Sequence, residues 1–296
     1  MKDNGLLVQY FNANTPADQT LWAKAAKDAA TLKKLGATAV WFPPATKGAA
    51  GKDDRGYAPY DLYDLGEFNQ KGSVGTRYGT KKEYLEAIDA MKAQGINVYA
   101  DIAVRQKLGA DSVEKVTAAD FNAKDIPQMI GNKKIVGALS KFTFPGRKSK
   151  YSKFKWNWNH FAGIDWQQDD FKRRVCELSG MTEMEAEKKY KLSKYDYIIG
   201  SELDLYNQEV YDELMAWAKW YEDVTGVDGF RFQEAEKIPG WFIRDFAEAA
   251  SNAGEEEKEI FTVGDFWHWR CDYINDYIAS ADNQPSMFDV PLHFSF

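Results

Sequence analysis

The first part of the chain alternates between short, continuous apolar runs and longer segments in which apolar residues recur every three or four positions. The apolar runs at 6–11, 37–44 and 96–104 predict three buried strands. The segments 21–36 and 81–95 predict amphipathic helices between these strands, and each segment ends at a glycine that stops the helix. Continuous apolar strands that alternate with helices indicate a parallel sheet covered by helices.

The alternation breaks between residues 105 and 200, where the chain is polar, aromatic and irregular. The segment 181–194 in this region has a charged helical pattern. We interpret 105–200 as a domain inserted after the third strand. The elements predicted after residue 200 are helices at 207–226 and 240–254, a helix after residue 267, and strands at 227–232, 259–267 and 287–292.

Six strands in βα units are compatible with an open, doubly wound sheet or with most of a (β/α)8 barrel. No GxGxxG or GxxxxGK[ST] motif follows any of these strands, so a nucleotide-binding doubly wound sheet has little support. We therefore predict an α/β fold with a (β/α)8-type (TIM) barrel. Strands one to three fall in 1–104 and strands four to six in 201–296, so the barrel is expected to be incomplete at its C-terminal side.

Composition and charge narrow the choice of partner. The 296 residues carry 38 basic and 45 acidic side chains in mixed order, for a net charge of -7, which disfavours nucleic acid and membrane surfaces as partners. No apolar run reaches the roughly 18 residues of a spanning helix, and the first residues have no signal-peptide pattern. Cys176 and Cys271 lie in no disulfide or metal-binding pattern. These features predict a cytoplasmic protein with reduced cysteines.

Four stretches resemble the α-amylases of glycoside hydrolase family 13, in particular the bacterial liquefying type. They are GYAPYDLYDLGEFNQKGSVGTRYGTKKEYLEAI, KFTFPGRKSKYSKFKWNWNHF, YDYIIGSELDL and SMFDVPLHF. The resemblance implies a barrel with an inserted domain B after strand three and a role in starch or α-1,4-glucan metabolism. It also implies an aspartate nucleophile on strand four, a glutamate acid/base on strand five and a structural calcium.

This sequence departs from the family at both catalytic positions. The resemblance places Gln233 at the nucleophile and Asp265 at the acid/base, beside a retained Arg231. Retaining glycosidases use two carboxyl groups about 5 Å apart. An uncharged carboxamide neither forms a glycosyl ester readily nor stabilises the charge of the transition state, and an aspartate is one methylene shorter than a glutamate. We therefore expect hydrolysis by the family route to be impaired.

Parts of a sugar site remain. Tyr57 matches a tyrosine that stacks on sugar in the family, and other positions match the walls of the site or carry substituted substrate-binding residues. The matching positions are Tyr57, Asp101, Gln106, Glu236, Lys237 and Trp267. Two interpretations of Glu234 and Glu236 stay open. With a local bulge in the strand, one of them is a relocated catalytic carboxylate; without it, both are solvent-side charges.

The calcium positions are degenerate. The residues that match the family's ligands are Arg105, Ala162, Asp196 and Glu202. Calcium prefers six to eight hard oxygens, so a guanidinium and a methyl group are poor replacements. We predict that no calcium or other cofactor is bound and that Arg105 forms ion pairs with Asp196 and Glu202 in its place.

Three functions remain open at this point. The first is a catalytically impaired pseudoenzyme that binds α-glucan or maltooligosaccharide, or that has a regulatory or scaffold role. The second is an active α-glucan hydrolase with a different carboxylate pair. The third is a protein-interaction subunit that contacts a partner chain at the open edge of the barrel.

Overall fold

The computed structural model describes residues 5–121, 129–167, 172–178, 199–254 and 258–296. The chain divides into two compact units. The first unit contains Met1–Tyr57, Asp61–Ala103 and Met215–Phe296, and the second contains Ala58–Tyr60 and Val104–Leu214.

The strands of both units are numbered along the chain as follows: β1 (Leu7–Gln9), β2 (Ala39–Phe42), β3 (Lys47–Gly48), β4 (Pro59–Asp61), β5 (Asn97–Ile102), β6 (Gln106–Lys107), β7 (Ser112–Phe121), β8 (Met129–Lys141), β9 (Phe161–Gln167), β10 (Lys172–Glu177), β11 (Ser201–Leu203), β12 (Gly229–Phe232), β13 (Phe261–Gly264) and β14 (Ser286–Met287). The α-helices are α1 (Leu21–Lys34), α2 (Lys81–Ala93), α3 (Gln208–Thr225), α4 (Gly240–Ser251), α5 (Cys271–Ser280) and α6 (Val290–Ser295). Short 3-10 helices cover Gly51–Asp53, Trp158–His160 and Ala235–Lys237.

The first unit is built on a six-stranded sheet in the order β1-β2-β5-β12-β13-β14. All of its neighbouring strands are parallel. The helices of the unit connect these strands in βα fashion, and the sheet curls as in part of a (β/α)8 barrel. The predicted fold class is therefore confirmed.

The sequence around helix α2 contains a signal for each end of the helix. The Thr80 side chain accepts a hydrogen bond from the Glu83 N–H, and the Glu83 carboxylate accepts one from the Thr80 N–H, which is a capping box. The helix buries Tyr84 and Met91 on one face. It stops before Gly95, whose positive φ of 66° suits glycine.

The predicted sixth strand is largely wrong. In the predicted segment 287–292, only Met287 belongs to the two-residue strand β14, and helix α6 begins at Val290. The Asp289 side chain accepts a hydrogen bond from the Leu292 N–H at 2.9 Å, and Pro291 lies in the first turn. An N-terminal aspartate cap followed by proline favours a helix start, and this local signal prevails over the apolar run.

Aromatic residues fill much of the core of the first unit. Trp22 and Trp217 are fully buried. The indole N–H of Trp217 donates to the Leu62 carbonyl at 2.9 Å, and the hydroxyls of Tyr84 and Tyr221 lie 2.8 Å apart. The indole nitrogen of Trp22, by contrast, is buried without a hydrogen-bond partner among the described residues. The core therefore satisfies the polar groups of Trp217, Tyr84 and Tyr221 but not that of Trp22.

The second unit contains a six-stranded antiparallel sheet in the order β6-β11-β9-β10-β7-β8. The region 105–200, interpreted from the sequence as an inserted domain, thus contains strands that the hydrophobic pattern did not predict. The sheet packs a small core that includes Val116, Val136 and Cys176. The charged helical pattern at 181–194 lies outside the described residues.

Both cysteines are free, as predicted; Cys176 is buried and Cys271 is exposed. In the parts of the chain that the structure describes, no helix has both the length and the apolar character needed to cross a membrane.

Candidate functional site

Three charged residues of the first unit form one buried network at the carboxyl ends of neighbouring strands. Arg231 lies opposite Asp101 in the register of β12 and β5. Its Nη1 is 3.0 and 3.1 Å from the two carboxylate oxygens of Asp101, and its Nη2 is 2.9 Å from Oδ2 of Asp265. All three side chains are buried. The guanidinium therefore links two carboxylates that would otherwise repel each other.

Asp101 accepts further hydrogen bonds from two aromatic side chains. The Tyr57 hydroxyl donates to its Oδ2 at 2.6 Å and the Trp41 indole N–H at 3.2 Å. Burial raises the pKa of Asp101 to about 6, while the charge of Arg231 and the Tyr57 hydrogen bond act in the opposite direction. Burial and the neighbouring Asp101 raise the pKa of Tyr57. The tyrosine therefore stays a neutral donor.

Both oxygens of Asp265 accept hydrogen bonds from nitrogen donors. Oδ2 accepts from Arg231 and from the Trp267 indole N–H at 3.0 Å, and Oδ1 accepts from the Glu234 N–H at 2.8 Å. Oδ1 accepts one hydrogen bond and Oδ2 accepts two. The three donors fix the position of the Asp265 carboxylate.

Gln233 lies at the end of β12, half-buried, in a turn that interrupts the strand alternation. The next residue, Glu234, has left-handed backbone angles (φ 50°, ψ 53°). Its carboxylate accepts from Lys237 Nζ at 2.5 Å. Alternation along a strand therefore does not decide where Glu234 points, because the strand has already ended at Phe232.

Glu236 occupies the short 3-10 helix Ala235–Lys237. Its Oε2 is buried and has no hydrogen-bond partner among the described residues. Burial raises the pKa of Glu236 to about 7, and the nearby Asp265 carboxylate adds to the effect. Glu236 is therefore a second carboxyl group near Asp265 with a different protonation behaviour from an ordinary surface glutamate.

The structure brings together most of the predicted site residues of the first unit. Tyr57, Asp101, Arg231, Asp265 and Trp267 are joined by direct hydrogen bonds or ion pairs. Gln106 lies in β6 of the second unit.

Sequence reasoning missed Trp41. Its indole N–H contacts Asp101, and its ring lies 4.6 Å from the Arg231 guanidinium carbon. A tryptophan in the apolar run 37–44 was the only signal for it.

Among the described residues, the predicted calcium positions do not form a cation site. Nη1 of Arg105 lies 2.9 Å from both carboxylate oxygens of Glu202, so the predicted ion pair with this residue is present. Ala162 is buried and brings no ligand, and Asp196 lies outside the described residues. Within the described residues, no group of three or more His, Cys, Asp or Glu side chains is arranged to hold a metal ion. A guanidinium on Glu202 does not fit a hard divalent cation at this point.

No protein-family model matches the chain. The chain is 43% identical over 295 residues to an α-amylase of Geobacillus stearothermophilus, covering 99% of this chain and 53% of that protein. This chain is homologous to the bacterial α-amylases. The α-amylase of Bacillus licheniformis is 39% identical over 293 residues, and the cytoplasmic α-amylase of Escherichia coli is 35% identical over 297 residues; each match covers 99% of this chain. This α-amylase homologue spans between 53% and 59% of the length of these relatives.

Solved α-amylase structures share the fold. The Anoxybacillus α-amylase superposes with a TM-score of 0.59 at 16% identity, covering 98% of this chain and 52% of that chain. The Geobacillus thermoleovorans α-amylase, solved in complex with acarbose, also gives a TM-score of 0.59 at 16% identity, with the same coverage. The resemblance and the fold expected from the sequence of this α-amylase homologue are confirmed.

Proposed function

We propose that this α-amylase homologue binds α-glucan chains at the carboxyl ends of its barrel strands and does not hydrolyse them by the two-carboxylate route. The main support is the position of Asp265, whose carboxylate accepts hydrogen bonds from three N–H donors of the protein. A general acid must reach the leaving oxygen of the substrate. Asp265 is one methylene shorter than the glutamate of the family, and these donors hold it against Arg231, Trp267 and the Glu234 backbone.

Gln233, at the nucleophile position, supports the same proposal. The family route needs a carboxylate that attacks the sugar and then leaves. A neutral amide at this position supplies neither the negative charge nor a good leaving group. With both roles weakened, a glucan would be held without being cleaved.

The remaining groups suit a sugar ligand. A sugar ring has apolar faces and hydroxyl edges, so it binds well between aromatic rings and charged acceptors. Tyr57 and Trp267 place such rings directly beside Asp101 and Asp265. The Trp267 side chain is 55% exposed, which leaves much of its indole open to a ligand.

Two assays on one preparation test this proposal. Calorimetric titration with maltoheptaose should give saturable binding, and a reducing-sugar assay on starch should give no turnover above the blank. The α-amylase of Bacillus licheniformis serves as the positive control for the second assay. Turnover at an enzymatic rate contradicts the proposed loss of hydrolysis, and the absence of binding contradicts the proposed glucan site.

The double variant Gln233→Asp/Asp265→Glu sharpens the test. It restores the two carboxyl groups of the family at their own positions. We expect it to gain measurable starch hydrolysis, whereas Gln284→Asp, an exposed glutamine elsewhere in the first unit, should gain none. Equal behaviour of the two variants would contradict a block at positions 233 and 265.

Glu236 supports a second candidate function, hydrolysis with a different carboxylate pair. A buried carboxyl group with a pKa of about 7 has the protonation behaviour of a general acid at neutral pH. If the chain hydrolyses glucan in this way, Glu236→Gln abolishes turnover. Turnover that survives Glu236→Gln would exclude this candidate.

A partner chain at the open edge of the barrel and a cytoplasmic location are also proposals. The location is supported by a relative that is itself named as cytoplasmic. Light scattering on the purified chain tests the proposed partner chain, since a second chain would raise the measured mass. Fractionation of the source cells tests the proposed location.

A further inference from the structure

Trp269 is an exposed tryptophan in the segment that follows strand β13 and Asp265. Trp269 lies between β13 and helix α5, and its side chain is 66% exposed. Its ring stacks on His268, with 5.9 Å between centroids and 18° between planes. His268 stacks in turn on Tyr273, at 4.1 Å and 23°. The indole is therefore the outermost of three stacked rings.

Charged neighbours hold this stack in place. The Arg270 guanidinium lies over the Tyr273 ring at 4.7 Å and pairs with Asp272, with 2.9 Å between Nε and Oδ1. The Arg270 N–H donates to Nδ1 of His268 at 3.1 Å. These contacts hold the imidazole, and the Arg270 guanidinium also lies 5.9 Å from the centroid of the Trp269 ring. A rigid, exposed aromatic side chain loses little entropy on binding, which is why such residues dominate many binding sites.

We propose that Trp269 is a stacking platform for a glucosyl unit that lies beyond the Asp101–Arg231–Asp265 network. This inference rests on the proposed glucan-binding function. It is carried by the continuity of the segment: Trp267, two residues earlier, donates to Asp265, and the chain then leads outward to Trp269. A glucan that contacts Trp267 can therefore extend to a second aromatic ring, Trp269, in the same segment.

The surroundings of Trp269 favour a sugar over other occupants. Arg270 and Asp272 are exposed and pair with each other, so the ring is bordered by polar groups that suit sugar hydroxyls. A docking protein would need a contiguous apolar patch. The exposed apolar residues of helix α6, such as Phe294, lie next to His293, which contacts Trp267 rather than Trp269. Nucleic acid would need an excess of basic charge, whereas Arg270 is neutralised locally and the chain carries a net charge of -7.

The proposal makes affinity depend on ligand length. A short oligosaccharide that fills the network around Asp265 does not reach Trp269, whereas a long one does. Removing the indole should therefore weaken the binding of long oligosaccharides selectively. A merely structural role for Trp269 would weaken the binding of short and long ligands alike.

The experiment compares maltotriose with maltoheptaose by calorimetric titration. Trp269→Ala should weaken maltoheptaose binding about three- to tenfold and leave maltotriose binding unchanged. Trp269→Phe, which keeps a ring, should retain most of the affinity. Trp158→Ala removes an exposed tryptophan from the second unit and is the matched control, with no effect on either ligand. Thermal unfolding confirms that each variant is folded.

Each outcome is decisive. If the wild-type chain binds maltoheptaose and Trp269→Ala binds it equally well, the platform is refuted and the proposed function stands. The platform is also refuted if Trp269→Ala loses affinity for both ligands in the same proportion. If the wild-type chain binds neither oligosaccharide, the proposed function and the platform fail together.

Discussion

The backbone N–H of Glu234 donates a hydrogen bond of 2.8 Å to the carboxylate of Asp265. Glu234 reaches this position with left-handed backbone angles, which cost a non-glycine residue about 1 kcal/mol or more. The Ala235 N–H donates to the main-chain carbonyl of Asp265 at 2.9 Å. The turn after β12 is thus attached to the residue that follows β13, and the strained residue lies directly at the candidate site.

Substitutions at Glu234 should separate backbone strain from side-chain effects. Glu234→Gly keeps the N–H and relieves the strain, so we expect the free energy of unfolding to stay equal or rise by up to about 1 kcal/mol. Glu234→Val places a β-branched residue at positive φ and should lose about 1–2 kcal/mol. Both variants lose the ion pair with Lys237, so Lys237→Met is the control. Urea unfolding measures all three, and equal losses in Glu234→Gly and Glu234→Val would contradict the argument.

Glu236 should make stability depend on pH. Its pKa of about 7 lies above the ordinary value of 4.5, so the folded chain binds this proton more tightly than the unfolded chain does. Its contribution to stability is therefore present at pH 4 and is lost as the pH rises through about 7. Glu236→Gln, which cannot ionise, should be more stable than the wild type at pH 8, by on the order of 3 kcal/mol at most, and similar to it at pH 4.

The measurement is urea unfolding of both proteins at a series of pH values. The difference between them isolates Glu236 from Asp101, whose raised pKa gives stability a pH dependence of the same sign. A difference that does not change between pH 4 and pH 8 would show that Glu236 is not a buried titrating group.

Arg105 and Glu202 should make the second unit independent of calcium. Their ion pair is buried, so Arg105→Met removes the guanidinium that neutralises the Glu202 carboxylate and should cost about 3 kcal/mol or more. The double variant Arg105→Met/Glu202→Met also removes the Glu202 charge and should lose less than Arg105→Met. For the wild type, we expect the same melting temperature in calcium and in a chelator. A fall of several degrees in the chelator would contradict the loss of the metal site.

The pattern of the sequence predicted the first five parallel strands of the first unit and the helices between them because their buried residues are regularly spaced. It failed for β7 and β8, where the buried positions include small or polar residues such as Ala118, Ala138 and Ser140. The apolar Ile135 is instead 70% exposed. When apolar residues face outward and small ones inward, periodicity no longer marks a strand.

The candidate site could be predicted only in part. The resemblance to α-amylases identified Asp101, Arg231 and Asp265, and the structure joins them. No sequence signal indicated the left-handed turn at Glu234, because a glutamate rather than a glycine occupies it. The hydrogen bond from Trp41 to Asp101 depends on the register of β2 against β5, which a pattern of apolar residues does not reveal.

The ammonium group of Lys47 binds the inner side of the loop between residues 64 and 75 in the first unit. Its side chain is fully buried, and its ammonium group donates to the main-chain carbonyls of Phe68, Ser73, Val74 and Gly75 at 2.5–3.3 Å. It also lies 3.6 Å from the buried carboxylate of Asp64. Asp64 in turn accepts hydrogen bonds from the N–H groups of Gly66, Glu67 and Phe68. The loop between 64 and 75 therefore folds around one positive charge.

Lys47→Met should destabilise the first unit strongly because it leaves the carbonyl cluster without its donor and the buried Asp64 charge without its cation. We expect a loss of about 3–5 kcal/mol in the free energy of unfolding. Lys52→Met, at an exposed lysine of the same region, should change it by less than about 0.5 kcal/mol. If the ammonium charge is the cause, Lys47→Met/Asp64→Asn will lose less than the sum of the single variants, since the second change removes the unpaired charge. Strict additivity in urea unfolding would instead assign the effect to packing of the lysine stem.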